Sequence, residues 1–174
     1  TYRIPPQLFF YGDGASSDSA FAQIEGLDSL LEDSFTVEMR LLPDSPSGRL
    51  LAQGSSFSLA FGPTAAGQTA ITATLAGQSF RADSSNLHDD LHDDLHDGQP
   101  HHLAFVWDSH AGQATFYQDG KLLAQQNLSS AGSENLAQTL ELGRGYAGTL
   151  DEIRLWQTVR SVAEISATQE SSLS

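Results

Sequence analysis

The sequence predicts an all-β fold, a two-sheet antiparallel β-sandwich with minimal helix. Short segments of alternating apolar and polar residues recur along the chain, and turn residues separate them at intervals of about 8–12 residues. This spacing is typical of sandwiches and barrels, because α/β domains place longer helical segments between their strands. A two-residue turn signal, Asp119-Gly120, joins two of the segments. Both positions tolerate the positive φ angles that tight hairpins need.

The stretch from His101 to Gln125 carries the strongest strand pattern. Apolar residues at alternate positions from Leu103 to Trp107 predict a central strand with two largely apolar faces. The Asp119-Gly120 turn then predicts the register of a hairpin. The predicted cross-strand pairs are Gln118 with Lys121, Tyr117 with Leu122, and Phe116 with Leu123.

The other elements follow from the same rules. Ser34–Leu42 is predicted to be a strand whose Phe35, Val37, Met39 and Leu41 face the core while Thr36, Glu38 and Arg40 face water. The Ser-x-x-Glu spacing of Ser161 and Glu164 is that of a capping box, so it predicts a helix over Ser161–Thr168. Shorter strands are predicted at Gln7–Tyr11, Phe21–Ile24, Arg49–Gln53, Ser56–Phe61, Ala70–Leu75 and Gln78–Ala82.

Composition limits the function. The 174 residues suit one domain, spanning 1–174, that is large enough to bury its own core. A net charge of −14, from 22 acidic and 8 basic residues, argues against nucleic acid or an anionic membrane as partner and favours a cation. No apolar run is long enough to span a bilayer, so membrane insertion is not expected. Because Thr1 is not an initiator methionine, we expect a piece of a longer protein.

The sequence carries no motif for catalysis. Cysteine is absent, and neither a Gly-x-Ser-x-Gly elbow nor a phosphate-binding loop occurs. The closely spaced carboxylates of a Glu-x-Asp-x-Glu strand, which would suit glycosidic bond cleavage, are also missing. We therefore expect a protein that is not an enzyme.

Three blocks of the chain support a more specific interpretation. They are Ser34–Leu42, the His101–Gln125 stretch, and Leu140–Ile165, in which a Gly-rich turn precedes the Asp-Glu-Ile-Arg-Leu-Trp run from Asp151 to Trp156. In this order the blocks resemble the laminin G-like, concanavalin A-like jelly-roll domains of secreted multidomain proteins. Pro100 departs from the family pattern, which commonly has a tryptophan before the histidine pair.

The resemblance implies a function. It implies a carbohydrate- or glycoprotein-binding module of a secreted or cell-surface, bacterial-type protein, either an adhesin or a polysaccharide-acting enzyme. The domain is expected to be monomeric within its larger chain, and its first strand is expected to pair near its last. The alternative is a structural or protein-interaction domain of the same fold that binds no sugar.

The resemblance also implies a structural calcium ion. In this family the acidic residue that opens the last strand often binds calcium together with the N-terminal loop, which here implies Asp151 with Asp13 and Asp18. Calcium takes six to eight oxygen ligands, and a Gly-rich loop can supply carbonyls. The alternative is that Asp151 only accepts turn hydrogen bonds or pairs with Arg154 or Arg144.

The repeat LHDDLHDDLHDG, residues 87–98, suggests a second metal hypothesis. On a helix His88, His92 and His96 would form one stripe, and histidines four residues apart can chelate zinc, nickel or copper. The stacked aspartates oppose an isolated helix, however. The alternative is a surface loop whose leucines are buried and whose histidines and aspartates lie in water.

A sugar site has no linear motif, so its residues are inferred from exposure. Sugars stack on aromatic rings, while amide, carboxylate and backbone groups bind their hydroxyls. Tyr146, which lies between glycines, is predicted to be the exposed ring, whereas Trp107 and Trp156 lie on strands and are expected in the core. The predicted polar companions of Tyr146 are Arg144, Asp108, His110 and Asn86.

Overall fold

The computed structural model describes residues 2–3, 8–10, 22–25, 33–83, 95–129 and 139–171. These residues form strands and one helix, α1, which spans Val162–Ser171. No helix among them is long and apolar enough to cross a membrane. The strands are Tyr2–Arg3 (β1), Leu8–Phe10 (β2), Ala22–Ile24 (β3), Phe35–Pro43 (β4), Gly48–Gln53 (β5), Phe57–Pro63 (β6), Thr69–Leu75 (β7), Gln78–Asp83 (β8), His101–Asp108 (β9), Gln113–Gln118 (β10), Lys121–Asn127 (β11), Leu140–Leu142 (β12) and Gly148–Trp156 (β13).

The strands form two antiparallel sheets, which confirms the predicted sandwich. The first sheet has the order β1-β13-β4-β9-β10-β11, with β2 also paired to β13. The second sheet has the order β3-β12-β5-β6-β7-β8. The predicted central strand is confirmed, since β9 lies between β4 and β10. The N-terminal strand β2 pairs with the last strand, as the family resemblance implied, with Leu8 opposite Leu150.

The core fills the space between the sheets. The alternate residues of β4 that were predicted to face inward are all buried, as are Phe57, Leu59 and Phe61 of β6. A chain of aromatic contacts connects the two sheets. Its ring centroids lie 5.0 Å apart for Phe35 and Phe57 and 5.3 Å apart for Phe57 and Phe105, and these distances are favourable for aromatic pairs. The two sheets therefore share one continuous core.

The β10–β11 hairpin follows the predicted register for two pairs and then departs from it. Asp119 and Gly120 both have positive φ, 51° and 75°, and Tyr117 pairs with Leu122. Phe116, however, pairs with Ala124, so the predicted pairing of Phe116 with Leu123 is wrong. Leu123 is the extra residue of a β-bulge, and it is buried in the core. The bulge turns Leu123 inward, which strict alternation would not do.

The second face of β4 was predicted to be wet, and this prediction is wrong. Thr36 and Glu38 are fully buried, because Trp156 and the chain that leads into α1 lie on the outer face of the first sheet: Arg160 N–H donates to Thr36, and the Trp156 indole donates to Glu38. Ile165 of α1 packs there against Ala104 and Val106 of β9. The helix covers a face that would otherwise be exposed to solvent, so both faces of β4 are largely apolar or shielded.

The predicted capping box begins α1. The backbone N–H of Glu164 donates to Ser161 Oγ at 3.3 Å, and the N–H of Ser161 donates to Glu164 Oε2 at 2.8 Å. This reciprocal pair satisfies donors that the first turn of a helix leaves free. The prediction of a helix beginning at this point is confirmed.

The first sheet has two ends, which are useful for locating the candidate sites. At the hairpin end lie the start of β9, the last residues of β4, the Asp119-Gly120 turn and the turn 143–147. At the Trp107 end lie the start of β4 and the loop 109–112. A nine-residue strand such as β4 spans about 27 Å between the two ends.

A close approach of backbones at Gly148 predicts a sharp effect on stability. Gly148 has a φ of 135°, and a Cβ atom there would lie 2.3 Å from the carbonyl oxygen of Leu42. We expect Gly148→Ala to lower the free energy of unfolding by more than about 3 kcal/mol in urea denaturation, from backbone strain and overlap together. The matched Gly62→Ala should be nearly neutral, because a Cβ there would meet nothing within 4 Å. Equal effects of the two variants would contradict the prediction.

Candidate functional site

Tyr146 is not the exposed ring that the sequence predicts. It is fully buried, its ring centroid lies 6.2 Å from that of Phe61, and its hydroxyl donates to the carbonyl of Thr149 at 3.1 Å. Gly143 and Gly145 both have positive φ, so the turn reverses tightly and directs the ring into the core. Flanking glycines predict an exposed tyrosine here, and this prediction is wrong. Tyr146 cannot serve as a sugar platform in this fold.

The other predicted ligand residues do not form one site with each other. Arg144 makes a two-point ion pair with Glu141, at 2.9 Å for each contact, near the hairpin end. Asp108 and His110 lie at the Trp107 end, the length of β4 away. Asn86 lies outside the described residues. The predicted set is therefore split between opposite ends of the sandwich.

Asp108 has a structural role in its loop. Its Oδ1 accepts the backbone N–H groups of His110 and Ala111, both at 3.0 Å, which closes the turn after β9. His110 is exposed beside Ser109, whose hydroxyl makes a short hydrogen bond to Asp33. That hydrogen bond also lowers the pKa of Asp33. The carboxylate of Asp108 is thus used by the backbone, whereas the ring of His110 is exposed beside it.

The last unit of the repeat agrees with the alternative of a surface loop, in which the leucine is buried and the histidine lies in water. Leu95 is fully buried in the core and His96 is exposed. His88 and His92 lie outside the described residues, so the transition-metal hypothesis stays a prediction. Within the described ranges there is no group of three or more histidine, aspartate or glutamate side chains that could hold a metal ion.

Asp97, also in the last repeat unit, holds a buried histidine. His101 Nε2 lies 3.0 Å from Asp97 Oδ1, and its Nδ1 lies 2.7 Å from Asp119 Oδ2. Burial disfavours the charged ring, but the hydrogen bonds and charges of Asp119 and Asp97 together raise the pKa of His101 to about 9. The imidazolium therefore joins the end of the repeat to the hairpin turn. The sequence predicts that His101 and His102 begin a strand, but its local pattern does not reveal this ion triad, because Asp119 lies 18 residues from His101.

Asp151 lies at a β-bulge in the last strand. Its Oδ1 accepts the N–H of Glu152 at 2.7 Å, and Glu152 has a φ of 49°. It is Glu152, not Asp151, that pairs with the neighbouring arginines, at 2.7 Å to Arg3 and 2.6 Å to Arg154. Asp13 and Asp18 lie outside the described residues. Of the three carboxylates predicted to bind calcium, the structure thus describes one, that of Asp151.

A buried polar cluster lies under α1 on the outer face of the first sheet. The indole N–H of Trp156 donates to Glu38 Oε2 at 2.6 Å, and the guanidinium of Arg160 stacks 3.7 Å from the centre of the Trp156 ring. Burial raises the pKa of the Glu38 carboxyl, although Arg160 and Trp156 oppose this. His102 Nε2 lies 4.0 Å from Glu38 Oε1. Burial lowers the pKa of His102 to about 4, so its ring is neutral at pH 7.

This cluster is closed by the chain that leads into α1. Arg160 donates to the carbonyl of Glu164 and to the hydroxyl of Thr168, while its backbone N–H donates to the Thr36 hydroxyl. Glu38 itself has no solvent exposure. The cluster is therefore part of the attachment of the helix, and a ligand cannot reach the Glu38 carboxylate while α1 is in place.

Beyond the helix, the outward-facing polar residues of β11 are exposed, whereas those of β10 are half-buried or, at Thr115, buried. Tyr117 is half-buried there, because part of its ring packs against Ile165, Ala104 and Val106. We call this surface the hairpin shelf. It consists of Tyr117 and of the polar residues that point outward from the same two strands: Gln113 and the buried Thr115 on β10, and Gln125 and Asn127 on β11.

The polar groups of the hairpin shelf are uncharged and held in place. Gln125 Nε2 donates to the Thr115 hydroxyl at 3.1 Å, and Gln113 Nε2 lies 3.4 Å from Asn127 Oδ1. The carboxamides retain further donors and acceptors for a ligand. The shelf therefore combines a partly exposed ring with exposed carboxamides, which are groups used in sugar recognition. In the sequence, the shelf corresponds to the Gln-x-Thr-x-Tyr alternation in β10. By itself this alternation predicts a strand and not a binding surface.

Comparison with known proteins places the chain in a family. The model of Laminin_G_3, the concanavalin A-like lectin/glucanases superfamily, matches residues 13–166. The chain belongs to this family, as the resemblance of its three blocks predicted. No curated protein matches the sequence.

Solved structures of other proteins share the fold. The native heptameric SAP-like pentraxin from Limulus polyphemus aligns with a TM-score of 0.70 and 14% identity, over 92% of this chain and 80% of that chain. The binding domain of botulinum neurotoxin serotype D aligns with a TM-score of 0.67 and 10% identity, over 95% of this chain. The neurotoxin DC binding domain, solved in complex with SialylT, aligns with a TM-score of 0.65 and 12% identity. This chain spans only 42% of either toxin domain.

The ion triad of His101 predicts a pH dependence of stability. A histidine whose pKa is raised on folding stabilises fully below the unfolded value near 6.5, and this contribution is lost as pH rises through about 9. We expect the wild type to lose up to about 3 kcal/mol of unfolding free energy between pH 6 and pH 9.5.

Urea denaturation at the two pH values measures this change. The His101→Gln variant should be less stable at pH 6 and should show little change over the same range. The matched His96→Gln variant, at an exposed position, should behave as the wild type. If His101→Gln kept the full pH dependence, the assignment to this triad would be wrong.

Proposed function

We propose that this domain is a non-catalytic carbohydrate- or glycoprotein-binding module, and that the hairpin shelf is its glycan site. The observation that supports this most directly is the partly exposed ring of Tyr117 on the same sheet face as the exposed carboxamides of Gln125 and Asn127. A pyranose ring can lay its C–H face on such an aromatic ring while its hydroxyls pair with neighbouring amides. The parent protein is then a secreted or cell-surface protein of several domains, such as an adhesin or a polysaccharide-acting enzyme.

The state of the neighbouring residues favours the shelf over the two loop ends. Tyr146 is buried, Arg144 is paired with Glu141, and Asp108 binds its own loop. By contrast, Gln125 and Asn127 are exposed on a strand, so their backbone positions are fixed before a ligand binds. Preformed geometry of this kind lowers the entropic cost of binding.

The positions of the carboxylates on the outer face of the first sheet agree with binding without catalysis. Glu38 is the carboxylate nearest the centre of the face, and α1 and Trp156 cover it. Acid/base cleavage of a glycosidic bond needs two carboxylates that reach the bond from either side. The residues that form the hairpin shelf include no carboxylate.

The comparisons support the proposal at the level of the fold. The family name includes lectins, and similar structures include toxin binding domains. Another similar structure is from botulinum neurotoxin type C, whose cell entry depends on interaction with two ganglioside molecules. At identities of 10–14%, these similarities carry no individual site residue to this chain.

A protein-interaction role is the second candidate, and the edge of the first sheet supports it. In the part of the chain that the structure describes, β11 pairs in the sheet with β10 alone. An edge strand can accept an added strand from a peptide through its free N–H and C=O groups. Such binding would depend on the β11 backbone and would be insensitive to Gln125.

Glycan binding can be tested with a matched pair of variants. Gln125 faces the shelf, while the adjacent and equally exposed Gln126 faces the opposite side of β11. On a glycan microarray we expect selective binding by the wild type. Gln125→Ala should weaken it by about three- to tenfold, the value of one hydrogen bond, and Gln126→Ala should not.

The ring provides the second arm of this test. Tyr117→Ala should reduce glycan affinity by at least about tenfold, since it removes the stacking surface. Its melting temperature must be measured in parallel, because part of the ring supports α1. A blank array for the wild type would reject the glycan proposal and favour the protein-interaction role.

We further propose that Asp151, together with Asp13 and Asp18, binds a structural calcium ion. The acidic net charge of −14 and the half-buried carboxylate of Asp151 at its bulge support this. We expect the domain to melt at a higher temperature in millimolar calcium than in chelator. A hundredfold excess of calcium over its Kd adds about 2.7 kcal/mol.

The calcium response should be specific to Asp151. Asp151→Asn should abolish the difference in melting temperature, whereas Asp83→Asn, on β8 of the other sheet, should retain it. Identical melting of the wild type with calcium and with chelator would reject the calcium site.

A further inference from the structure

Apolar side chains border the hairpin shelf, although the rest of the described surface has few. Among the described residues, the large apolar side chains classed as exposed are Leu122 at 54%, Val162 at 47% and Val159 at 40%. Two of the three, Leu122 and Val162, lie beside the shelf. About half of each of these two side chains is in contact with water.

Leu122 borders the shelf on the side of the edge strand. It is the direct cross-strand partner of Tyr117, and such partners lie on the same face of a sheet. The bulge at Leu123 follows immediately, so Leu122 is the last residue of β11 that faces outward before the alternation shifts. An exposed edge strand usually carries polar or charged residues, which prevent aggregation. A leucine there calls for another explanation.

Val162 borders the shelf on the side of the helix. A Cβ built on Gly120 would lie 2.9 Å from Ser166 Oγ and 3.0 Å from Gln169 Oε1, so this side of α1 faces the hairpin. Val162 precedes Ser166 by four residues and therefore lies on the same side, one turn earlier. Ile165, which follows Val162 by three residues, belongs to the apolar cluster against which Tyr117 packs, and Leu122 lies opposite Tyr117 on the neighbouring strand.

The chemistry of these two borders restricts the sugar. A hydroxyl group pressed against leucine or valine loses its water without gaining a hydrogen-bond partner, which is unfavourable. A methyl group in the same place buries apolar surface on both partners and strengthens binding by about fourfold. Resting on the proposed glycan site, we infer that the hairpin shelf selects sugars that carry a methyl group on a ring substituent.

Two classes of sugar provide such a methyl group. In N-acetylhexosamines it belongs to the acetamido group, whose N–H and C=O could also pair with the carboxamide of Gln125. In 6-deoxyhexoses it replaces the exocyclic hydroxymethyl group. The two sources share the methyl group, and they can be separated experimentally by pairs of sugars that differ either in the acetamido group or in the 6-deoxy position.

The test is an NMR titration of the domain with three matched pairs. Chitotriose and cellotriose share linkage and differ in the acetamido group, while L-fucose and L-galactose, and L-rhamnose and L-mannose, differ in the 6-deoxy position. We expect the methyl-bearing member of at least one pair to bind about four- to tenfold more tightly. A preference in the first pair assigns the acetamido group, and one in the other pairs assigns the 6-deoxy group.

Variants link the preference to the two borders of the shelf. Leu122→Thr and Val162→Thr should reduce the preference toward equality while leaving the affinity for the unmethylated partner unchanged. Val159→Thr, at a third exposed apolar position outside the shelf, should retain the preference. A general loss of affinity for both members of a pair would indicate a structural effect and would contradict the assignment.

Failure of this inference differs from failure of the glycan site itself. Equal binding within all three pairs would overturn the methyl preference while the glycan site stands, provided that Gln125→Ala still weakens binding. If neither these sugars nor any glycan of the microarray bound, the glycan site and the preference would both be rejected.

Discussion

The packing of α1 across the outer face of the first sheet is the constraint on which the rest of the surface depends. Ile165 fills the space above Ala104 and Val106, and Arg160 connects the start of the helix to Thr36. Once the helix is in place, Glu38 cannot remain a solvated surface carboxylate. Its burial requires partners, because a buried ionised group without them is strongly unfavourable.

Trp156 and Arg160 meet that requirement in different ways. The indole donates a hydrogen bond to the carboxylate, and the guanidinium stacks on the indole. Glu38 Oε1 has no hydrogen-bond partner among the residues that the structure describes. The neutral ring of His102 lies 4.0 Å from it. This incomplete pairing is tolerated because the helix, the tryptophan and the arginine are held together by several other contacts.

The position of α1 also decides where a ligand can bind. The helix covers the middle of the face over β9 and leaves the outward-facing polar residues of β11 exposed. Tyr117 serves both regions, since one part of its ring supports Ile165 and the rest forms the floor of the hairpin shelf. The candidate binding surface is therefore the part of the sheet that the helix does not use. A jelly roll with a helix of different length or angle would present a different surface.

The sequence by itself determined the strands, the hairpin turn, the capping box and the family, because these depend on local periodicity and on residues close in the chain. Asp119-Gly120 and Ser161 with Glu164 act within a few residues, so their predictions hold. Only the tertiary structure decided what covers each face. Alternation in β4 distinguishes two faces, but it cannot reveal that Trp156 and the chain leading into α1, more than a hundred residues later, cover Thr36 and Glu38. For the same reason the glycines around Tyr146 could not show which way its ring turns, and the bulge at Leu123 depended on core space that lies between the two sheets.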